Sequence, residues 1–256
     1  MSLLQYRFHS KTIRMDTEVC VILPENEDAG HRTYPVLYLL HGAGGDCGSW
    51  LRYTSVERYA EENKIAVVMP SAYNSCYADM VNGIPYFTFM SEELPSRIER
   101  IFPVAEDASR RFVAGLSMGG RGAFLWALRK PDFFRGAVCL SGSLDVSLMA
   151  ERMKREKDEM SLKRFSNAFG NLESLSPEND VWALTKKLAS EKRQKPDFLY
   201  MCGTEDVRYK EQMLPYLSFC EKHHFRIGSM TDHGVHDYAF WDPAIRQAMK
   251  WMKEHV

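Results

Sequence analysis

The chain contains a series of short apolar segments that alternate with helical ones. Each apolar run is three to five residues long and is bounded by Gly or Pro. Uniformly apolar runs of this length are typical of strands buried on both faces, and their alternation with helices implies right-handed crossovers. The pattern therefore predicts an α/β fold with a mainly parallel sheet and helices on both faces. The predicted strands of this series occupy residues 36–40, 66–69, 112–114, 137–140, 198–201 and, less apolar, 225–230.

The N-terminal region differs from this pattern. Residues 4–10 and 17–23 show the partial alternation of an antiparallel pair at a sheet edge. No repeat or long Gly/Ser linker appears, so residues 1–256 are predicted to form a single domain. The predicted helices span residues 55–63, 91–101, 118–130, 210–223 and 243–255.

One polar stretch interrupts the alternation at about residues 144–195. Within it, residues 151–159 form a dense run of mixed charge, which is most simply a solvated helical face with i,i+4 ion pairs. A long insertion between strands can also act as a lid over a site. We therefore expect a helical insertion here, and a cap over the site is the functional alternative.

The strongest chemical motif is Gly115-Leu116-Ser117-Met118-Gly119. It follows a predicted strand and precedes a predicted helix, which is the setting of a nucleophile elbow. Glycine at both flanks fits a turn too tight for a Cβ atom. A chain of this length contains such a pentapeptide by chance roughly one time in ten, so an ordinary Gly-rich connection is the alternative.

A catalytic serine needs an imidazole base and an acid that orients it. In hydrolases of this architecture the chain order is serine, acid, histidine. Asp206 lies on the loop after the strand at 198–201, and His236 follows the last strand. His236 is the predicted base because it precedes an aromatic helix start, and His233 is its competitor.

Acyl transfer also requires donors for the tetrahedral oxyanion. The Met118 amide follows the nucleophile at a helix start, and the Gly-rich loop at 41–45 suggests the Ala43 amide as the second donor. The same loop could be a phosphate-binding turn. Because it has neither a P-loop ending nor a G-x-G-x-x-G pattern, nucleotide binding ranks lower.

Composition limits the partners. The 256 residues carry a net charge of −1, which offers no general attraction to nucleic acid or to an anionic membrane. No N-terminal leader or membrane-length apolar stretch is visible, so a cytoplasmic location is expected. The six cysteines are scattered, which argues against a metal or redox site. We expect a small-molecule substrate and no cofactor or metal.

Several motifs together resemble the esterase D family of α/β-hydrolases. The resemblance covers nearly the whole chain and is carried by the elbow with Gly120, by 93–95, and by segments 40–45, 202–206 and 234–241. It implies the α/β-hydrolase fold and places the family's nucleophile on Ser117, its acid on Asp206 and its base on His236. The family's oxyanion amides fall on Ala43 and Met118.

Within this family, which includes S-formylglutathione hydrolases and feruloyl or acetyl-xylan esterases, the sequence is most similar to bacterial tributyrin esterases. Cys47 lies further along than the cysteine of the S-formylglutathione hydrolase pattern, which makes a formylglutathione substrate less favoured. Relatives often assemble, and the N-terminal strands offer a sheet edge, so a homo-oligomer is possible.

The sequence thus predicts a serine carboxylesterase that acts on short-chain acyl esters. Trp50 and Tyr86 are predicted members of the substrate pocket, since aromatic residues are frequent near them; plain core packing is the alternative. A serine peptidase or acyltransferase on the same triad is a second possibility for the function. A non-catalytic binding module on a hydrolase scaffold is a third.

Overall fold

A computed structural model of the protein describes residues 1–25 and 33–256. Eight strands form one sheet within these residues, and they are β1 (Ser2–Ser10), β2 (Met15–Leu23), β3 (Val36–Leu40), β4 (Ala66–Pro70), β5 (Arg111–Leu116), β6 (Gly136–Leu140), β7 (Asp197–Gly203) and β8 (Ile227–Asp232). Their spatial order is β1-β2-β4-β3-β5-β6-β7-β8. β2 pairs antiparallel with β1 and β4, and all other neighbours are parallel. The predicted mixed topology is confirmed.

Ten α-helical segments occur in the described residues: α1 (Ser49–Tyr53), α2 (Val56–Asn63), α3 (Tyr86–Thr88), α4 (Leu94–Ile101), α5 (Met118–Arg129), α6 (Val146–Glu156), α7 (Glu159–Phe169), α8 (Val181–Ser190), α9 (Val207–Lys222) and α10 (Tyr238–Lys253). One π-helical turn, Phe89–Glu93, joins α3 to α4. Short 3₁₀ turns occupy Ala108–Arg110 and Pro177–Asn179.

Three helices begin earlier in the structure than the sequence predicts. The segment predicted at 91–101 begins at Tyr86, α9 begins at Val207 instead of 210, and α10 begins at Tyr238 instead of 243. For α10 the reason is a local cap, because the Asp237 carboxylate accepts a hydrogen bond from the Phe240 amide (3.2 Å). Pro243 lies inside this helix instead of starting it. A proline signal therefore misplaced the start of α10.

Side chains of the central strands alternate between two buried layers. In β3, Tyr38 packs in the layer that contains α5, whereas Leu37 and Leu39 pack in the layer that contains α10. Every residue of β3 to β7 is buried, as the uniform apolar runs predict. Helices cover both faces of the sheet, so the predicted fold class is confirmed.

The carboxyl ends of the parallel strands meet at one edge of the sheet, where α/β proteins build their sites. β3 leads there into the loop at 41–48, β5 into Ser117, and β7 into Asp206. The expected insertion is confirmed as α6, α7 and α8 between β6 and β7; we refer to α6 and α7 as the cap. No helix among the described residues has both the length and the apolar character needed to cross a bilayer.

Candidate active site

Ser117 lies in a strained turn between β5 and α5. Its φ is +53° and its ψ is −115°, a conformation that costs a non-glycine residue about 1–3 kcal/mol. The turn is held by the Ser117 amide, which donates to the Leu140 carbonyl (2.7 Å). A Cβ at Gly119 would lie 2.5 Å from the Leu40 carbonyl oxygen, and one at Gly115 would lie 2.4 Å from the Gly119 backbone. Both flanks therefore require glycine because backbone segments are in contact.

Ser117, His236 and Asp206 form a continuous hydrogen-bonded chain. His236 Nδ1 lies 2.8 Å from Asp206 Oδ2, and His236 Nε2 lies 2.9 Å from Ser117 Oγ. An ionised carboxylate only accepts hydrogen bonds, so it selects the tautomer in which Nδ1 carries the proton. Nε2 then presents a lone pair to the Ser117 hydroxyl. The structure brings together the three residues that the sequence singled out.

Two aromatic side chains fix the orientation of the imidazole. The Tyr209 ring stacks on His236 at 4.4 Å between centroids with 9° between planes, and the Trp241 ring meets it edge-on at 4.8 Å. The Asp206 side chain is only 2% exposed, whereas that of His236 is 30% exposed. The imidazole is thus held on three sides and open toward the site. Tyr209, three residues after Asp206 on α9, carries no signal in the sequence that predicts this contact.

His233, the competing base, lies outside this chain of contacts. Its side chain is 89% exposed and pairs with Glu205 (2.5 Å between Nδ1 and Oε1). Glu205 also accepts a hydrogen bond from the Gly234 amide (2.6 Å). The local sequence thus contains two acid–histidine pairs, and only Asp206 with His236 reaches Ser117.

The two predicted oxyanion residues line the same cavity as Ser117. Met118 is the first residue of α5, so its amide lies at a helix N-terminus, where four amides lack partners within the helix. Ala43 lies on the Gly-rich loop after β3. The next amide of that loop, Gly44, donates to Asn74 Oδ1 (2.8 Å), which anchors the loop to the segment after β4.

A buried histidine braces the Gly-rich loop. His41 Nδ1 donates to the Gly42 carbonyl (2.7 Å), and its Nε2 accepts from the Ala72 amide (3.0 Å). Burial lowers the pKa of His41, so its ring is neutral and this donor and acceptor pattern is stable at neutral pH. The Tyr77 hydroxyl donates to the His41 carbonyl (2.8 Å). His41 therefore positions the loop and makes no hydrogen bond with Ser117, Asp206 or His236.

A cavity of about 750 Å³, including its opening to solvent, extends from Ser117 to the cap. Its apolar wall comes from the cap, and its charged wall combines the cap with α5 and α9. The apolar lining includes Met149, Met153, Phe165 and Phe169, and the charged lining consists of Arg121, Arg152, Arg164, Arg208, Glu156 and Asp158. One i,i+4 ion pair of the predicted kind forms in the run of charge at 151–159, since Arg152 donates to Glu156 (2.7 Å).

Arg121 is the most unusual residue of the cavity. It is 4% exposed on α5, its guanidinium lies 4.6 Å above the Phe169 ring, and it donates to the Asn179 carbonyl. Burial lowers the pKa of Arg121 to about 10, so it remains charged at neutral pH. In the sequence, Arg121 is the one charged residue among otherwise uncharged residues from 119 to 128, which could have marked it as unusual. The sequence analysis did not predict that Arg121 lines the cavity.

The structure corrects the two predicted pocket residues. Neither Trp50 nor Tyr86 lines the cavity that contains Ser117. Trp50 is 1% exposed and its indole N–H donates to the Leu40 carbonyl (3.1 Å), while Tyr86 is 3% exposed and packs edge-on against Phe89. Both are core residues, because the cap instead of the segment after β4 forms the apolar wall.

Glu18, Cys20 and Cys47 form one cluster with potential metal ligands, their ligand atoms all within 4.8 Å of one another. The hydrogen bond from the Cys20 thiol is the main reason that the pKa of Cys47 falls to about 7, while the same contact and burial raise the pKa of Cys20. Thiolates of this kind are ligands that suit a soft cation. The cluster lies on β2 and beyond the Gly-rich loop, and triad chemistry does not use it.

Comparisons with known proteins agree with this geometry. The esterase family model matches residues 10–252. An acetyl esterase from Caldicellulosiruptor saccharolyticus is 30% identical over 264 residues, 99% of each protein. Among solved structures, FphF, a fluorophosphonate-binding serine hydrolase of Staphylococcus aureus, is 33% identical with a TM-score of 0.88 over 98% of both chains.

A second solved structure from Staphylococcus aureus, the S-formylglutathione hydrolase FrmB, is 34% identical with a TM-score of 0.85, again over 98% of both chains. A ferulic acid esterase at 22% identity and a TM-score of 0.79 shares the fold. The chain therefore belongs to the esterase family, in the esterase D-like group of α/β-hydrolases, and is a serine carboxylic ester hydrolase.

Proposed function

We propose that the protein hydrolyses short-chain acyl esters, acetyl and butyryl esters among them, through Ser117, His236 and Asp206. The observation that carries the proposal is the hydrogen-bonded chain from Asp206 through His236 to Ser117 at a strained strand-to-helix turn. The similarity to an acetyl esterase along the whole chain supports the short acyl group.

In the acylation step, Ser117 Oγ attacks the ester carbonyl while His236 Nε2 takes the hydroxyl proton. Asp206 stabilises the imidazolium that forms, because its buried carboxylate already accepts the hydrogen bond from Nδ1–H of His236. Collapse of the tetrahedral intermediate transfers the Nε2 proton to the leaving alkoxide. The products of this step are an alcohol and an acyl-enzyme ester on Ser117.

We assign the amides of Met118 and Ala43 as the hydrogen-bond donors to the negatively charged oxygen of the tetrahedral intermediate. Backbone donors fixed before the reaction need no reorganisation as charge develops, and one such donor is worth about 3–4 kcal/mol. The bracing of the loop by His41 and Asn74 supports the assignment of Ala43. Water, deprotonated by His236, then attacks the acyl-enzyme and releases the acid.

Removal of the nucleophile tests the proposal. Ser117→Ala should lower kcat for p-nitrophenyl acetate by at least about 10⁴-fold, since the triad acts as a unit. A fluorophosphonate probe should label the unmodified protein at Ser117 and leave the variant unlabelled. Ser190→Ala, an exposed serine at the end of α8, is the matched control and should retain full turnover. Persistent turnover or labelling of Ser117→Ala would refute the assignment.

A set of different substrates, together with the fluorophosphonate probe, separates the other functions that the sequence left open. A peptidase would also cleave aminoacyl amides, which an esterase leaves intact, and an acyltransferase would favour an added alcohol over water. A non-catalytic binding module would not react with the fluorophosphonate. S-formylglutathione should be tested beside the acyl esters, because the position of Cys47 predicts that this thioester is a poorer substrate than they are.

A further inference from the structure

Arg121 has no role in the triad chemistry, yet it lies one helical turn after the nucleophile. Two of its nitrogens, Nε and Nη1, are buried and find no partner among the residues that the structure describes. Its third nitrogen group, Nη2, donates to the Asn179 carbonyl, which carries no full charge. The charge of Asp180 acts on Arg121, but no carboxylate of the described residues makes a hydrogen bond with it. A buried guanidinium without a hydrogen-bonded carboxylate is costly, so its retention beside Ser117 requires an explanation.

The remaining charges of the cavity do not neutralise Arg121. The lining of the cavity contains four arginine side chains and two carboxylates. Glu156 is engaged by Arg152 (2.7 Å), and Asp158 accepts from the Ser161 amide at the start of α7 (3.0 Å). Arg164 also keeps a buried Nε without a partner in the described part of the chain. The cavity therefore has an excess of positive charge with free donors.

Guanidinium donors match a carboxylate better than any neutral group, because two N–H groups can bind its two oxygens. We propose that the cavity binds esters whose acyl group ends in a carboxylate, with Arg121 as the residue that recognises the carboxylate. This inference rests on the proposed function, since it names the substrate class of the same site. The substrate would supply the partner that the fold itself does not give to Arg121.

The carboxylate is assigned to the acyl group because of where Arg121 lies. The leaving alcohol must depart to solvent before water enters, whereas the acyl group stays on Ser117 through both steps. Arg121 is 4% exposed and its guanidinium lies on the Phe169 ring of the cap, so a group that contacts it must stay within the cavity. Arg121 lies four positions after Ser117, a rise of about 6 Å along the helix, which suits a short dicarboxylic half-ester.

Two esters of equal chain length test the proposal. Monomethyl glutarate and methyl pentanoate differ at the far end of the acyl chain, and a pH-stat follows the acid released from each. The unmodified protein should favour monomethyl glutarate in kcat/KM by about 10- to 100-fold, the range expected for a hydrogen bond to a charged group. Arg121→Met should abolish that preference, so that within this variant kcat/KM for monomethyl glutarate falls to the value for methyl pentanoate.

Further variants distinguish a local contact from general charge. Arg155→Met removes the same charge from an exposed position of α6 and should leave the preference unchanged. Arg121→Lys should restore part of it, since a point charge remains without the planar fork. Equal turnover of the two esters by the unmodified protein, or a preference that survives in Arg121→Met, would overturn the proposal.

A measurement on the unmodified protein covers the case in which Arg121→Met does not fold. Glutarate should inhibit hydrolysis of p-nitrophenyl acetate competitively at concentrations at least about tenfold below those needed for neutral glutaramide. Equal inhibition by the two would contradict the proposal. A higher kcat/KM for pentanoyloxyacetate, which carries its carboxylate on the alcohol, than for monomethyl glutarate would refute the acyl placement.

Failure of this proposal can be told apart from failure of the proposed function. Hydrolysis of methyl pentanoate by the unmodified protein and its loss in Ser117→Ala depend on the triad alone. If these hold and the preference for monomethyl glutarate is absent, only the carboxylate site is wrong.

Discussion

The edge of the sheet where Ser117, Asp206 and His236 meet, which we call the catalytic edge after its proposed chemistry, differs from the cap in how it is built. At the catalytic edge, Gly119 lies against the backbone of residues 40 and 41, and Gly115 lies against the backbone of Gly119, so neither glycine has room for a Cβ atom. In the cap, α6 and α7 bury one apolar face each, and α6 carries ion pairs from Arg152 to Glu156 and from Lys154 to Glu173. The comparison teaches that backbone contact fixes the proposed nucleophile Ser117, whereas side chains from separate segments shape the cavity beside it.

The two regions also differ in how their polar groups are satisfied. In the triad, Asp206 and Ser117 each have a hydrogen-bond partner in His236. In the cavity beneath the cap, Arg121 and Arg164 keep buried nitrogens that no described residue accepts. A reaction centre has to be complete before substrate arrives, while a recognition surface can be completed by the substrate.

The largest expected effect comes from the acid at the catalytic edge. Asp206→Asn keeps the size of the side chain but can donate to His236 and so favours the wrong tautomer, which should lower kcat for p-nitrophenyl acetate by about 10⁴-fold. Asp232→Asn, the same change at the end of β8, should leave kcat within about twofold. Near-normal turnover of Asp206→Asn would show that the hydrogen-bonded chain is not the catalytic one.

A smaller effect is expected when a methyl group is added at the elbow by Gly119→Ala. The Cβ of Gly119→Ala would lie 2.5 Å from the Leu40 carbonyl oxygen, so the strand and helix must separate. We expect a loss of about 2 kcal/mol or more in the free energy of unfolding, measured by urea denaturation, together with lost turnover.

Gly228→Ala is the matched control for the elbow. Its Cβ would meet only Leu199 Cδ1, at the ordinary contact distance of 3.5 Å. The free energy of unfolding should change by less than about 1 kcal/mol there. If both glycine variants were equally stable, close backbone contact would not be what distinguishes the catalytic edge.

The smallest effect is expected in the cap. Asp145 caps α6 by accepting from the Leu148 amide (2.9 Å), so Asp145→Ala should cost about 1 kcal/mol of local helix stability. Hydrogen exchange in α6 should become faster, while the rate at which a fluorophosphonate labels Ser117 stays the same. Asp145→Asn keeps the cap and is the control. A parallel fall in labelling would show that the cap also helps to hold the nucleophile.

Much of the site could be predicted because its signals are local. Gly115 and Gly119 flank the nucleophile at a fixed spacing, and the strand before Asp206 carries the acid to the correct edge of the sheet. Trp50 and Tyr86 were misassigned because aromatic composition does not tell a cavity wall from core. Nothing in the local sequence showed that Tyr209 would stack on His236, since that contact joins two separate segments.

The sequence by itself determined the layered α/β fold, the position of the elbow and the order of its three candidate catalytic residues. These follow from hydrophobic periodicity and from turns that only glycine can form, both of which act over a few residues. Only the tertiary structure separated His236 from His233, which lie three residues apart on one loop. It also brought Arg121 from α5 to the cavity beneath the cap, because distances between segments far apart in the chain arise only when the packed core sets them.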